Sequence, residues 1–247
     1  MVRRKAEVGK REGALVAKTS RPLQTQATPG PIGKRLNPED RRAQILEVVA
    51  DLFGQHPYPE ISVGDVARAA GVTEGLIYHY FDTRTRLFAA AVEVSCAQLL
   101  KACIPDMTQS IPAQFERGVQ GYIDYVEAHR MAYLNLFRGP AAHEVEFQSV
   151  VDRTRIALIE HIIFALGLAD RPVPVTRLSL RGYVAYSEAL ILTWLEQNDT
   201  ARDTLERLIY TMILTALSSG LALEAEQPLT AKQLQRFAQD YRAHFGL

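Results

Sequence analysis

Apolar positions recur at steps of three and four through most of the chain, and the polar positions between them fall on the opposite sides of the same helices. The first stripe is Ile45, Val48, Val49, Leu52 and Phe53. It predicts a helix after Asn37, with Asn37 as cap, Pro38 at the first helical position and Glu39 and Asp40 in the first turn, where negative charge is favoured. Further helices are expected near 83–103, 113–129, 131–137, 143–166, 175–197 and 230–245, with breaks at 104–112, 138–142, 167–174 and 227–229. The most regular seam is Leu205, Leu208, Ile209, Met212, Ile213, Ala216, Leu217 and Gly220, suited to packing another helix. No stretch alternates as a strand does, so the expected class is all-α.

One stretch, Ser62 to Leu87, has a tighter logic. Ser62 is a good N-cap, with Asp65 placed for the first turn, so a helix should start at Val63. Val66, Ala67 and Ala70 share one face, and Gly71 can take the left-handed conformation that ends a helix. Thr73 then caps a second short helix, Glu74 to Tyr80. Helix, short turn with glycine, helix is the spacing of a helix-turn-helix. In that motif the second helix enters the major groove with its N-terminal residues nearest the base edges, here Thr73, Glu74, Gly75 and Leu76. Tyr78, His79 and Tyr80 can donate to phosphate oxygens, and Arg84, a cation at an unfavourable helix start, is expected to meet a phosphate.

Val72 to Leu87, VTEGLIYHYFDTRTRL, resembles the signature of the TetR (tetracycline-repressor-like) family of transcriptional regulators, through Thr73, Gly75, Ile77, Tyr78, Tyr80, Phe81, Arg84 and Leu87. Arg42, Ile45, Leu46, Leu52 and Phe53 fit that family's first helix, and Val66, Ala67, Ala70, Gly71 and Val72 its second, so the resemblance covers about 50 residues. Three positions depart from it. His56, Pro57 and Pro59 replace the glycine usual after the first helix; Arg84 and Thr85 stand where lysine and glutamate are commoner; Gly64 occupies a position that often contacts DNA. The resemblance implies a three-helix DNA-binding domain at 38–83, joined by a linking helix to an effector-binding and dimerisation domain at 84–247. The DNA-contacting set is then Arg41, Arg42, Ser62, Val63, Thr73, Glu74, Gly75, Leu76, Tyr78, His79, Tyr80 and Arg84.

The same resemblance implies a homodimer on a palindromic double-stranded DNA operator and a cavity for a small, mainly hydrophobic effector. The aromatic supply for that cavity is Tyr122, Tyr125, Tyr133, Phe137, Tyr183 and Trp194. The late seam, Leu205, Leu208, Ile209, Met212, Ile213 and Ala216, is the expected dimer interface, with internal core as its alternative. His161, inside an apolar stripe, is expected to be a hydrogen-bonded core residue. Release of a repressor by its ligand is the expected mechanism; an activator or a ligand-independent DNA-binding protein of the same fold stays open.

Charge changes the picture at the N-terminus. The formal net charge of the chain is zero, but residues 1–37 hold nine Lys or Arg against Glu7 and Glu12, a local +7 that leaves −7 for the remainder. Between Pro38 and Asp82 only Arg41, Arg42 and Arg68 face eight acids, a poor balance for meeting polyphosphate. The segment 1–37, with three prolines and few large apolar residues, is expected to be a disordered basic arm that supplies the missing positive charge.

With 47% hydrophobic and 23% charged residues, the composition is that of an ordinary globular chain. No uninterrupted apolar run reaches the roughly 20 residues a bilayer span needs, and the basic N-terminus lacks the apolar stretch of a secretory signal, so the expected location is the cytoplasm, with no membrane partner. Cys96 and Cys103, seven residues apart in one helix and so separated by about 10 Å, are expected to be reduced thiols. The six histidines are scattered, no metal-binding spacing occurs, and neither a nucleophile elbow nor a phosphate-cradling loop is present, so no catalytic residue, cofactor or metal is expected.

Overall fold

The computed structural model describes residues 36–197, 199–226 and 228–247. The expected basic arm therefore lies outside the described residues, apart from Leu36 and Asn37. Ten α-helices occur in them: α1 (Pro38–Gln55), α2 (Val63–Ala70), α3 (Glu74–Phe81), α4 (Arg84–Ala102), α5 (Ile111–Ala128), α6 (Arg130–Arg138), α7 (Val145–Ala165), α8 (Pro174–Gln197), α9 (Arg202–Ala222) and α10 (Ala231–Phe245). Two short 3-10 turns also occur, Tyr58–Glu60 between α1 and α2 and Pro140–His143 between α6 and α7, the second taking in His143, expected as the start of the next helix. The fold is all-α, and among the described residues there is no strand.

The starts of the helices follow their caps. Asn37 accepts from the Asp40 backbone at 2.8 Å, Ser62 from Asp65, Thr73 from Leu76 and Thr83 from Arg86, so each of the first four helices satisfies a free N–H locally. Ser62 and Asp65 complete a capping box, the carboxylate reaching back to the Ser62 N–H at 3.1 Å and hydroxyl at 2.6 Å. Gly71 ends α2 at φ 65°. Asp82 ends α3 at φ 56°, unusual for a residue with a side chain, and pairs with Arg86 of the next helix at 2.7 Å.

Two apolar cores divide the molecule. The first joins α1, α2 and α3 to the first half of α4, through Ile45, Phe53, Ile77, Phe81, Leu87 and Phe88. It also takes in Tyr58, Ala141, Phe147 and Val150, so α7 reaches the N-terminal helices directly, with the Phe147 ring 5.3 Å from that of Tyr58. The second core holds α5 to α10, centred on Ile123, Ile163, Leu180, Ile213, Leu217 and Tyr241. Within it α8 packs closely on α9: a Cβ on Gly220 would sit 2.8 Å from the Thr176 Cα, so only glycine lets these helices approach as they do.

That crossing corrects the reading of the α9 seam. Leu205, Ile209, Ile213 and Ala216 are buried within the chain, and Met212 is half-buried against the second core. Only Leu208, 43% exposed, faces outward. The regular spacing came from packing on α8, which one sequence cannot distinguish from packing on a partner.

Candidate nucleic-acid interface and internal cavities

The α2–α3 pair presents one outward surface. Ile77 and Phe81 turn inward and anchor α3, leaving Glu74, Gly75, Tyr78 and His79 exposed on its far side, with Thr73 exposed at its N-terminus. Leu76 and Tyr80 are half-buried, and the Tyr80 ring meets His79 edge-on at 5.6 Å. On α2, Gly64 lies beneath the Glu74 side chain: a Cβ there would be 2.9 Å from its Oε1. Position 64 lacks a side chain and Glu74 covers the gap.

The cap of α2 carries a charged pair. Arg68 donates to Asp65 at 2.9 Å. Burial works to raise the Asp65 pKa, but the Ser62 hydroxyl and backbone N–H, with Arg68 beside them, outweigh it and hold the carboxyl below its usual 3.8. Arg41 is engaged by Gln44 at 2.7 Å, and the Arg42 guanidinium lies 5.2 Å from the Phe81 ring centre with its side chain exposed.

Two expected contact residues are placed elsewhere. Val63, 6% exposed, is part of the first core. Arg84 is turned inward: it donates to the Ile61 carbonyl at 3.1 and 3.2 Å and to the Tyr58 carbonyl, while its guanidinium lies 4.0 Å from the Tyr58 ring centre and 5.0 Å from that of Phe88. A cation at the start of α4 is tolerated because it satisfies the carbonyls of the loop between α1 and α2, so no phosphate is needed to explain it.

Between the two halves, Asn135 of α6 donates its amide to the carbonyls of Phe53 at 2.9 Å and His56 at 2.8 Å. It thereby closes the C-terminal end of α1, where the carbonyls have no helical partner. Single-sequence reading had no signal for this contact, which spans about 80 residues of chain.

Two cavities adjoin the C-terminal helices. A cleft of about 960 Å³ opens between α1 and helices α4 to α7, with Tyr125, Tyr133, Phe137, Cys96 and Arg155 in its wall. A chamber of about 100 Å³ lies among α5, α7, α8 and α9, lined mainly by apolar side chains such as Phe115, Val119, Ile162 and Ile213, with Tyr183. Tyr122, Leu158 and Glu188 line both and so form the partition between them. The hydroxyls of Tyr122 and Tyr133 are 2.9 Å apart. Glu188, buried, takes a forked contact from Arg155 at 2.7–3.1 Å, and Arg155 also donates to Asp152 at 2.8 Å. This pairing raises the Arg155 pKa, so the guanidinium stays charged and committed.

Five of the six predicted aromatic residues line one cavity or both. Trp194 lines neither: its indole N–H donates to the Thr200 carbonyl at 2.8 Å and fastens the turn from α8 to α9. The sequence reading missed Gln114 and Ser187, and it took His161 for a satisfied core residue. All three line the chamber, and Gln114 Oε1, His161 Nδ1 and Ser187 Oγ are buried there without a hydrogen-bond partner. Burial lowers the His161 pKa and so keeps the ring neutral at pH 7. The Cys103 thiol, also in the wall, is pushed up to about 12 by burial and is unreactive. No group of side chains able to hold a metal ion occurs among the described residues, and no helix among them is long and apolar enough to cross a membrane.

Residues 45–91 match the family described as bacterial regulatory proteins, tetR family, and residues 112–216 match the tetracyclin repressor-like C-terminal domain. The chain is 40% identical over 57 residues to the HTH-type transcriptional regulator AcrR of Shigella flexneri, covering 23% of this chain and 26% of that protein. It is 22% identical over 121 residues to the HTH-type transcriptional activator FasR of Mycolicibacterium smegmatis, covering 48% and 55%. The chain thus spans between about a quarter and about half the length of these curated relatives. A tetR-family transcriptional regulator from Streptomyces coelicolor has a similar fold, with a TM-score of 0.69 at 24% identity over 84% of this chain and 90% of that one.

Proposed function

The chain belongs to the TetR family of bacterial regulatory proteins, and we propose that it is a DNA-binding transcriptional regulator whose homodimer is controlled by a small molecule held in the C-terminal half. The observation that carries the reading is the α2–α3 pair. Its inward side is fixed by Ile77 and Phe81, which leaves Thr73, Glu74, Gly75, Tyr78 and His79 on one open face at the end that meets base edges in a helix-turn-helix. The reading unit is 38–83, held from behind by α4, and 84–247 supplies ligand and dimer contacts. Phosphate contacts fall to Tyr78, His79 and the exposed Arg42, together with the basic residues before Asn37. The regulator works in the cytoplasm.

The dimer surface is the outward side of α8 and α9, opposite the seam first expected. Leu178, Gly182, Ala185, Ala189 and Thr193 on α8 lie beside Leu208, Thr211, Thr215 and Ser219 on α9, all exposed and all uncharged. Thr211 and Thr215 donate their hydroxyls to carbonyls of their own helix at 2.8 and 3.0 Å, so covering them leaves no donor unpaired. To read a two-fold operator, a dimer on this face must set its two α3 helices about 34–36 Å apart, one turn of DNA. A ligand shifts that geometry only by its differential affinity for the two states. Release of repression is our reading of the sign; the partial likeness to an activator favours keeping DNA binding, not repression, as the first quantity measured.

Selection from a pool of random duplexes tests the proposal. The enriched sequence is expected to be an inverted repeat, with Tyr78→Phe weakening all duplexes alike and Thr73→Ala or Glu74→Ala changing the preferred bases. Enrichment of no sequence, or of one without two-fold symmetry, would overturn it.

A further inference from the structure

The chamber's chemistry narrows what it can hold. Its unpaired groups are an acceptor, Gln114 Oε1; a hydroxyl, Ser187 Oγ; and the Nδ1 of a neutral imidazole, His161. Gln114 is only 5% exposed, and its amide nitrogen is already used on the Gln109 carbonyl at 3.1 Å, so the oxygen alone remains to be met. A buried polar atom left unmet costs free energy, and a ligand that meets it recovers that cost.

Charge narrows the class further. Among the described residues no Lys or Arg lines the chamber, and the one carboxylate there, Glu188, is already held by Arg155 on the far side of the partition. An anion would meet a carboxylate with no cation at hand. A cation would have to compete with a forked guanidinium for its counter-charge. At about 100 Å³ the chamber is smaller than the roughly 150 Å³ cavities that take benzene, so its ligand is limited to a compact molecule of at most about one ring.

We infer that the chamber binds a compact, neutral, mainly apolar molecule carrying a hydroxyl, which donates to Gln114 Oε1 and accepts from Ser187 Oγ, or from His161 when the ring proton sits on Nδ1. This rests on the proposed effector role of the C-terminal half and names the ligand class for it. One O–H group can both donate and accept, which suits an acceptor and a hydroxyl in the same wall. The apolar body is held by Phe115, Val119 and Ile213.

Isothermal titration of the full chain with four probes of similar size tests the inference: phenol, toluene, benzoate and benzylammonium. Phenol is expected to bind roughly three- to tenfold more tightly than toluene, as one or two matched hydrogen bonds allow, and benzoate and benzylammonium more weakly than both. Gln114→Leu should remove the preference of phenol over toluene while keeping toluene binding, which separates a lost contact from a misfolded chain. Tighter binding of either ion, or equal binding of phenol and toluene to the unaltered chain, would overturn the assignment. Random-duplex selection is run separately without probe: failure there removes the regulator reading and leaves the ligand class standing, whereas success there with no probe bound removes the ligand class alone.

Discussion

The two halves of the molecule differ in how many buried polar atoms they leave unpaired. Around the helix-turn-helix polar side chains are spent on structure: exposed Ser62 and buried Asp65 cap each other, half-buried Arg84 holds the Tyr58 and Ile61 carbonyls, and half-buried Asn135 of α6 closes α1. Tyr58 is the buried side chain there with an unpaired polar atom. In the C-terminal half Gln114, His161, Thr176, Ser187, Tyr210 and Tyr241 all carry unpaired buried atoms. A unit that reads DNA must hold its outward side chains in one geometry, and a fully bonded frame does that. On the proposed reading of the C-terminal half, a unit that accepts a ligand gains by leaving polar groups to be met, at a cost in its own stability.

This difference can be broken at several points. The largest effect is expected from Phe88→Ala, which empties the contact among Phe53, Tyr58 and Phe88 and should cost about 3–5 kcal/mol in urea unfolding. Next comes Asn135→Leu, which leaves the Phe53 and His56 carbonyls without their donor. A loss of about 1–3 kcal/mol is expected, with weaker DNA binding because the end of α1 is freed; unchanged stability would remove Asn135 as the tie between the halves.

Asp65→Asn breaks the capping box and should cost about 1 kcal/mol near neutral pH. Because the folded carboxyl titrates below 3.8, its contribution is present above that value and lost as pH falls through the folded pKa. The variant's stability should accordingly converge on that of the unaltered chain in acid, and a constant gap would contradict the assignment. The smallest effect belongs to the other half. Thr176→Val replaces a buried, unpaired hydroxyl by a methyl of nearly the same volume and should be neutral or stabilising by up to about 1 kcal/mol, whereas Thr154→Val, which discards a 2.9 Å bond to the Val150 carbonyl, should destabilise.

The sequence carried the local part of this picture well. Caps, stripes and glycine stops lie within a few residues of one another, so Ser62, Gly71 and Thr73 located α2 and α3 closely, and the helical class followed from spacing alone. What it could not carry was the choice between partners far apart in the chain. Arg84 reads as a phosphate contact because a cation at a helix start meets an unfavourable dipole, whereas the carbonyls that hold it are 23 and 26 residues away. The α9 seam was legible as apolar, but not which helix it faced. Trp194 reads in sequence as a cavity aromatic, but its indole fastens the turn from α8 to α9. Gln114 and Ser187 gave no signal, since an unpaired buried atom is defined only by everything packed around it.

The account stands most directly on two chains engaging one operator. Native mass spectrometry of the full chain with a duplex enriched from the random pool measures this in one spectrum. Two chains per duplex, or a pair of such dimers, is the predicted composition, with Leu208→Glu on the proposed α9 face reducing it. A single chain per duplex would contradict the two-fold arrangement and the α8–α9 interface.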